Sequence, residues 1–169
     1  MDVFLNRLDL GFRFASPGII TAVLTLIGVV PFGPEGWGVI APFLPLAAIY
    51  YWAIQRPGVM PNSLVFAIGL LHDVLTGRLI GLSAVLLLLF RAGVVSQRQF
   101  LAGKPLFVYW LGFGLAALIF SGLEWFAQSV SALAVLPASP ILFRPVVEAA
   151  LFPMLCWLFI QIQRSLPER

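Results

Sequence analysis

Charge is scarce in this sequence. Only 10% of its 169 residues are charged and 61% are hydrophobic, whereas a soluble domain has about 25% charged and about 45–50% apolar residues. The mean hydropathy is +1.02. A chain of this composition cannot cover its apolar surface in water. The composition therefore excludes an ordinary soluble domain and predicts an integral membrane protein, whose solvent is the bilayer.

Cysteine, histidine and catalytic motifs are also sparse. The chain has one Cys and one His, which excludes an internal disulfide and leaves too few ligands for a Cys/His metal site. The sequence contains no GxSxG, HExxH or GxxxxGK[ST] motif. His72 and Asp73 are neighbours, and neighbouring side chains on a helix point about 100° apart, which disfavours a catalytic pair. We therefore expect no catalytic residue, no cofactor and no metal.

The basic residues do not form a patch. There are ten Lys and Arg, and the net charge is +3, but they are spread singly along the chain. Nucleic-acid binding requires a basic patch or stripe, so we expect no nucleic-acid partner. The cations are better interpreted as topology signals, because Lys and Arg are enriched in the cytoplasmic loops of membrane proteins.

Charges, prolines and glycines divide the chain into six apolar segments. They cover residues 17–33, 37–55, 59–75, 79–97, 105–128 and 141–163. Crossing the roughly 30 Å hydrocarbon core takes about 20 helical residues. The second, fifth and sixth segments reach that length, whereas the first, third and fourth are short. The pattern predicts an all-α bundle of about six transmembrane helices in a single membrane domain spanning residues 1–169.

The positions of Lys and Arg orient these segments. If both termini are cytoplasmic, nearly all cations fall on the cytoplasmic side, and only Arg78 and Arg144 lie near the outer face. The alternative is that 59–97 forms a re-entrant hairpin, which leaves five membrane segments. Six crossings satisfy the positive-inside rule in every loop, so we favour six. The residues before Pro17 have an amphipathic pattern typical of a helix at the membrane surface, with a frayed tail as the alternative.

A repeat of small residues and one aspartate occupies the third segment and the start of the fourth. Gly69, Asp73, Gly77 and Gly81 are spaced by four, so within a helix they would share one face. Small residues at this spacing let helix backbones approach closely in lipid. The stretch around Gly77 also has the character of a turn. We expect a tightly packed hairpin with Asp73 as its polar contact.

Five charged residues are predicted to lie toward the outer leaflet: Asp73, Arg78, Glu124, Arg144 and Glu148. Charges within spans are costly, and they usually face protein or water. One interpretation is internal salt bridges or ordinary interfacial charges, and the other is a patch that recognises a membrane protein or a ligand. We favour internal pairing for Arg144 with Glu148, which are four residues apart. For Glu124, which has no cation nearby in the sequence, we favour docking.

Two stretches of the sequence carry a family resemblance. The first is PFLPLAAIYYWAIQRPGVMPNSLVFAIGLLHDVLTGRLIGLSAV, with Tyr51, Trp52, Pro57 and the pattern F-x-x-G-x-x-x-D-x-x-x-G-x-x-x-G at 66–81. The second is FRPVVEAALFPMLCWLFIQIQR, with Pro153 and a basic end. These stretches resemble MreD, the rod-shape-determining membrane protein family of bacteria. The resemblance covers most of residues 40–95 and 140–165, whereas 1–35 and the fifth segment match in hydropathy alone. His72 and Arg78 match no position of the family pattern.

Resemblance to MreD implies a scaffold of the bacterial inner membrane and no enzymatic activity. Proteins of this family bind MreC, a single-span protein with a periplasmic part. The wider elongation complex includes MreB filaments, RodA and an elongation-specific penicillin-binding transpeptidase. The family is also similar in fold to the substrate-binding components of energy-coupling-factor vitamin transporters. A small-molecule-binding subunit of a transporter is therefore the alternative, because fold alone does not decide function.

Overall fold

The computed structural model describes residues 17–29, 42–77, 79–134 and 139–164, and of residues 139–142, 162 and 164 only the backbone. These described residues form six α-helices and no strand. The helices are α1 (Pro17–Val29), α2 (Leu44–Gln55), α3 (Asn62–Thr76), α4 (Leu82–Leu101), α5 (Leu106–Ala132) and α6 (Ser139–Arg164). They follow the order of the six apolar segments, and the all-α class is confirmed for the described part of the chain.

Three of the helices are long and apolar enough to cross a membrane. They are α4, α5 and the Phe143–Gln161 part of α6. Most residues of these stretches are not buried inside the bundle, and on α5 the outward side chains of Phe107, Leu115 and Phe126 are each more than 60% exposed. An apolar surface of this extent suits lipid rather than water. The described helices are therefore those of a membrane protein.

Two helix lengths differ from the sequence-based prediction. The second segment was expected to span comfortably, but α2 has 12 residues. It begins at Leu44, two residues after Pro42, and Pro45 lies in its first turn. The predicted part at 37–41 and the predicted surface helix before Pro17 lie outside the described residues. The fourth segment was expected to be short, but α4 has 20 residues. It continues through Arg98, whose Nε donates to the Ile54 carbonyl at 2.7 Å.

The central helix is α2. Residues 45–54 are all buried, and α2 packs against α4, α5 and α6. Tyr50 meets Phe113 and Phe152 edge-on, with ring centroids 5.4 and 5.8 Å away, and those two rings stack on each other at 4.3 Å. A helix enclosed by others needs no polar face, which explains the unbroken apolar run of this segment.

Two prolines, Pro145 and Pro153, lie inside α6. Proline has no backbone N–H, so the Ala149 carbonyl loses the donor that residue 153 would otherwise supply. Trp110 of α5 replaces that donor: its Nε1 donates to the Ala149 oxygen at 2.7 Å. A neighbouring helix thus satisfies the freed carbonyl, as polar backbone groups in lipid require, and α6 continues through the proline.

Candidate functional site

The described charged side chains are divided between the two ends of the bundle. The end where α2 and α4 begin carries Asp73, Glu124, Arg144 and Glu148. The end where α2 and α4 finish carries Arg56, Arg91, Arg98 and Lys104. We call these the acidic end and the basic end. Every described Asp and Glu lies at the acidic end.

Asp73 joins α3 to the start of α4. It is fully buried, and its Oδ2 accepts a hydrogen bond from the Gly81 N–H at 2.8 Å. Both carboxylate oxygens also accept from the Ser83 N–H, at 3.2 and 3.1 Å. The first N–H groups of a helix have no intrahelical partner and favour negative charge. Asp73 therefore caps α4 from the neighbouring helix.

The expectation that the four-residue repeat lines one helical face is wrong for two of its members. Helix α3 ends before Gly77, which has a φ of 64°, and Gly81 precedes α4 with a φ of 97°. Glycine adopts these left-handed conformations at little cost, so the two residues form the turn between the helices. Gly69 and Asp73 lie on α3, whereas Arg78 lies outside the described residues.

Gly69 marks the closest approach of α3 and α4. A Cβ added to this residue would lie 2.4 Å from the Cα of Ala84 and 2.6 Å from its backbone nitrogen. The two backbones are therefore in contact, which is the packing that small residues permit in membrane helices. Of the three glycines in the repeat, Gly69 alone lies at such a contact, since a Cβ at Gly77 or Gly81 would meet nothing within 4 Å.

His72 and Asp73 both contact Ser83, one at its hydroxyl and the other at its backbone N–H. The imidazole Nδ1 lies 3.3 Å from the Ser83 hydroxyl, whereas the carboxylate of Asp73 accepts from the Ser83 N–H. All three side chains are buried, so this contact closes the hairpin at the acidic end. Among the described residues, no group of three or more His, Cys, Asp or Glu is placed to hold a metal ion.

Arg144 joins two buried carboxylates. Its Nη1 donates to Glu124 Oε2 at 2.6 Å, and its Nε donates to Glu148 Oε1 at 3.1 Å. The three residues are 4%, 9% and 3% exposed in chain order, and Glu124 also accepts from Gln128 at 3.1 Å. Glu124 has no cation nearby in the sequence, but the inference that it lacks an internal cation partner is wrong. Its cation comes from α6, so the observation that favoured docking at this carboxylate no longer applies.

Phe43, which sequence reasoning did not single out, connects the groups at the acidic end. Its N–H donates to Glu148 Oε1 at 2.9 Å, and its ring centroid lies 5.3 Å from Arg144 Cζ, within cation–π range. The same ring lies 4.4 Å from that of His72. The start of α2 thus faces a carboxylate, which its dipole favours. The sequence feature that could have drawn attention to Phe43 is its position directly after Pro42.

At the basic end, two arginines of α4 bind the last turn of α2 and the segment that follows it. Arg91 donates from Nε to the Met60 carbonyl at 2.7 Å and from Nη2 to the Pro57 carbonyl at 3.0 Å. Arg98 donates from Nε to the Ile54 carbonyl at 2.7 Å. The last carbonyls of a helix lack intrahelical donors and attract cations. These arginines therefore stabilise the end of the central helix.

An apolar groove lies between α4 and α5. Its volume is about 550 Å³. Of its fifteen lining residues, Tyr50 at the base and Gln97 at one end are the two with polar side-chain atoms. Its lining includes the small residues Gly93, Gly112 and Ala116. A Cβ at Gly93 would meet nothing within 4 Å, whereas the space beside Gly112 is taken by the Tyr50 hydroxyl. We call this the α4–α5 groove, and it opens on the apolar outer surface of the bundle.

Comparisons of the chain with protein-family models, with curated proteins and with solved structures gave no match. Function must therefore be inferred from the sequence pattern and the geometry of the described residues.

Proposed function

We propose that this protein is an inner-membrane scaffold of the MreD type, which binds the transmembrane helix of MreC in the α4–α5 groove. In this role it helps to couple MreB filaments to peptidoglycan synthesis by RodA and the elongation penicillin-binding transpeptidase, and so maintains rod cell shape. The groove is the observation that carries the proposal. It is a preformed, almost wholly apolar recess on the lipid-facing side of the bundle.

The shape of the groove suits a helix. Membrane helices associate through close van der Waals packing, and small residues at the contact allow it. Gly93 has nothing within 4 Å of its Cβ position, so α4 presents a gap there instead of a ridge. A single-span partner with an apolar helix can fill that gap without burying a charge.

The internal pairing of charges at the acidic end supports the α4–α5 groove as the binding surface. Because Arg144 pairs with both Glu124 and Glu148, these charges stabilise the bundle and are not presented to a partner. Recognition within the membrane then depends on apolar shape. This argument replaces the docking patch that the sequence favoured for Glu124.

The proposed topology has six crossings with both termini in the cytoplasm. The separation of charge supports it, since Arg56, Arg91, Arg98 and Lys104 lie together at one end, and the positive-inside rule assigns that end to the cytoplasm. The shortness of α2 is compatible with a crossing, because a helix surrounded by protein need not match the lipid thickness by itself.

Cysteine labelling tests this topology. In a Cys156→Ala background, we expect Ser131→Cys at the end of α5 to react with an impermeant thiol reagent added outside the cell. Lys104→Cys, in the turn before α5, should react only after the membrane is permeabilised. Both positions are exposed, so access depends on the side of the membrane. Labelling of position 104 from outside would contradict the proposed orientation.

Filling the groove tests the site. We expect Gly93→Leu to accumulate normally, because nothing lies within 4 Å of the new Cβ, but to lower MreC co-purification about tenfold, which corresponds to about 1.4 kcal/mol. Gly122→Leu on α5 is the matched control, since its Cβ position is equally open and it does not line the groove. Retention of MreC by Gly93→Leu, or equal loss in both variants, would exclude the groove as the binding site.

The alternative is a vitamin-type binding subunit of a membrane transporter. The groove volume favours it, because about 550 Å³ lies within the roughly 300–1,000 Å³ of small-molecule sites. Such sites also need a few polar groups that converge on the ligand. The groove lining has two residues with polar side-chain atoms, Tyr50 at the base and Gln97 at one end, which makes this alternative less well supported. Recovery of a transporter's energising subunits instead of MreC with the tagged protein would favour this alternative.

A further inference from the structure

A second cleft follows α4 and ends at Asn62, the first residue of α3. Its volume is about 700 Å³, and we call it the α4 cleft. Along α4, Val85, Leu88 and Leu89 line the part nearer the start of the helix and are all apolar. The part toward the basic end is lined by Arg91, Ala92, Val95 and Ser96, with Asn62 of α3, and it holds all the polar side chains of the cleft. Val85 and Ser96 are about 16 Å apart along the helix axis. The cleft is therefore long and amphipathic.

Arg91 gives the polar part of the cleft a positive charge. Its partners are the carbonyls of Met60 and Pro57 and the side-chain oxygen of Asn62, which are all uncharged. A guanidinium has five N–H donors, so two remain after these three bonds. The described carboxylates lie at the acidic end, whereas three further cations share the basic end with Arg91. A ligand in this cleft therefore meets net positive charge.

We propose that the α4 cleft binds an anionic phospholipid, with its phosphate at Arg91 and Asn62 and an acyl chain along Val85, Leu88 and Leu89. Charge complementarity and the gradient of polarity both favour this occupant. A free phosphate would leave the apolar part of the cleft without a contact. An apolar helix would leave the arginine without an anionic partner. Basic recesses between membrane helices on the cytoplasmic side are known to bind such headgroups. The proposal takes the cytoplasmic position of the basic end from the proposed topology and does not depend on the scaffold role.

Lipid titration of the purified protein in detergent, followed by native mass spectrometry, tests this site. The probes are phosphatidylglycerol and phosphatidylcholine with identical acyl chains. We expect phosphatidylglycerol to bind about fivefold more tightly, the effect of one basic residue near an anionic lipid. Inorganic phosphate at the same concentration should not displace it. Equal affinity for the two lipids, or displacement by phosphate, would overturn the proposal.

Ala92→Trp identifies the location. Ala92 lines the cleft and is exposed, so the indole fills the cleft beside Arg91, one helical turn from Leu88 and Leu89, without replacing a buried side chain. We expect at least a fivefold loss of phosphatidylglycerol binding, with unchanged thermal stability. Ala150→Trp on α6 is the matched control, because Ala150 is also exposed but lies outside the cleft, and it should bind as the parent does. Unchanged binding by Ala92→Trp would show that the lipid binds elsewhere.

Charge variants distinguish a specific effect of Arg91 from the general positive charge of the basic end. Arg91→Gln should remove the preference for phosphatidylglycerol, whereas Lys104→Gln, an exposed cation at the same end, should keep it. Arg91 also holds the Pro57 and Met60 carbonyls, so this comparison uses protein that elutes as a single species. If Arg91→Gln cannot be purified, Ala92→Trp decides the matter alone. Equal losses in both charge variants would indicate a diffuse surface potential and overturn the site.

Discussion

Arg144→Ala should prevent the protein from accumulating in the membrane. The substitution removes the cation that Glu124 and Glu148 share, and both carboxylates are buried. Removing one partner of a buried ion pair costs about 3–5 kcal/mol, because the remaining charge is left without compensation. Here one substitution leaves two such charges. The loss is comparable to the whole stability of a domain, about 5–15 kcal/mol, and membrane level together with thermal unfolding in detergent measures it.

Neutral variants separate the charge from the packing. Glu124→Gln and Glu148→Gln each leave Arg144 with one carboxylate, so each should be milder than Arg144→Ala. The triple variant Arg144→Met, Glu124→Gln, Glu148→Gln removes all three charges at similar volume, and we expect it to recover much of the lost stability, as buried ion pairs often allow. Lys104→Ala is the exposed control. If Arg144→Ala accumulates and unfolds as the parent does, these residues are merely solvated helix ends.

The order and class of the helices could be predicted because their signals are local. Proline and charge interrupt apolar runs within a few residues, and each of the six segments corresponds to a described helix. The ends were less predictable. A charge such as Arg98 normally suggests a helix end at the membrane surface, but α4 continues beyond it, because the Ile54 carbonyl accepts its hydrogen bond. The bond to the Ile54 carbonyl of the neighbouring helix is a contact that the local sequence does not reveal.

The partner of Glu124 could not be predicted for a different reason. Arg144 is twenty residues away in sequence, and the two side chains meet only because α5 and α6 pack side by side. Opposite charges lie one helical turn apart in Arg144 and Glu148, whereas no cation lies one turn from Glu124. The predicted end of the fifth segment at 128 also placed Glu124 too near the surface, since α5 continues to Ala132. Pairing across helices depends on their register, which local patterns do not contain.

Substitution of Gly69 should have the next largest effect. In Gly69→Leu the new side chain would start 2.4 Å from a backbone atom of Ala84, so no choice of rotamer relieves the clash and α3 must separate from α4. Overpacking typically costs about 1–3 kcal/mol, and we expect at least the upper end of that range. Separation would also move Asp73 away from the Gly81 and Ser83 N–H groups that it caps. Thermal unfolding in detergent and membrane level measure the loss.

Smaller substitutions show whether the contact is between backbones. Gly69→Ala should already destabilise the protein, whereas Gly122→Ala, whose Cβ position has nothing within 4 Å, should change stability by no more than about 1 kcal/mol, in the stabilising direction. Adding Ala84→Gly to Gly69→Ala should restore little, because the nearest atoms are the Cα and nitrogen of residue 84. Full rescue would assign the contact to the Ala84 methyl group. Parent-like unfolding of Gly69→Ala would show that α3 and α4 do not approach this closely, and that Asp73 alone joins them.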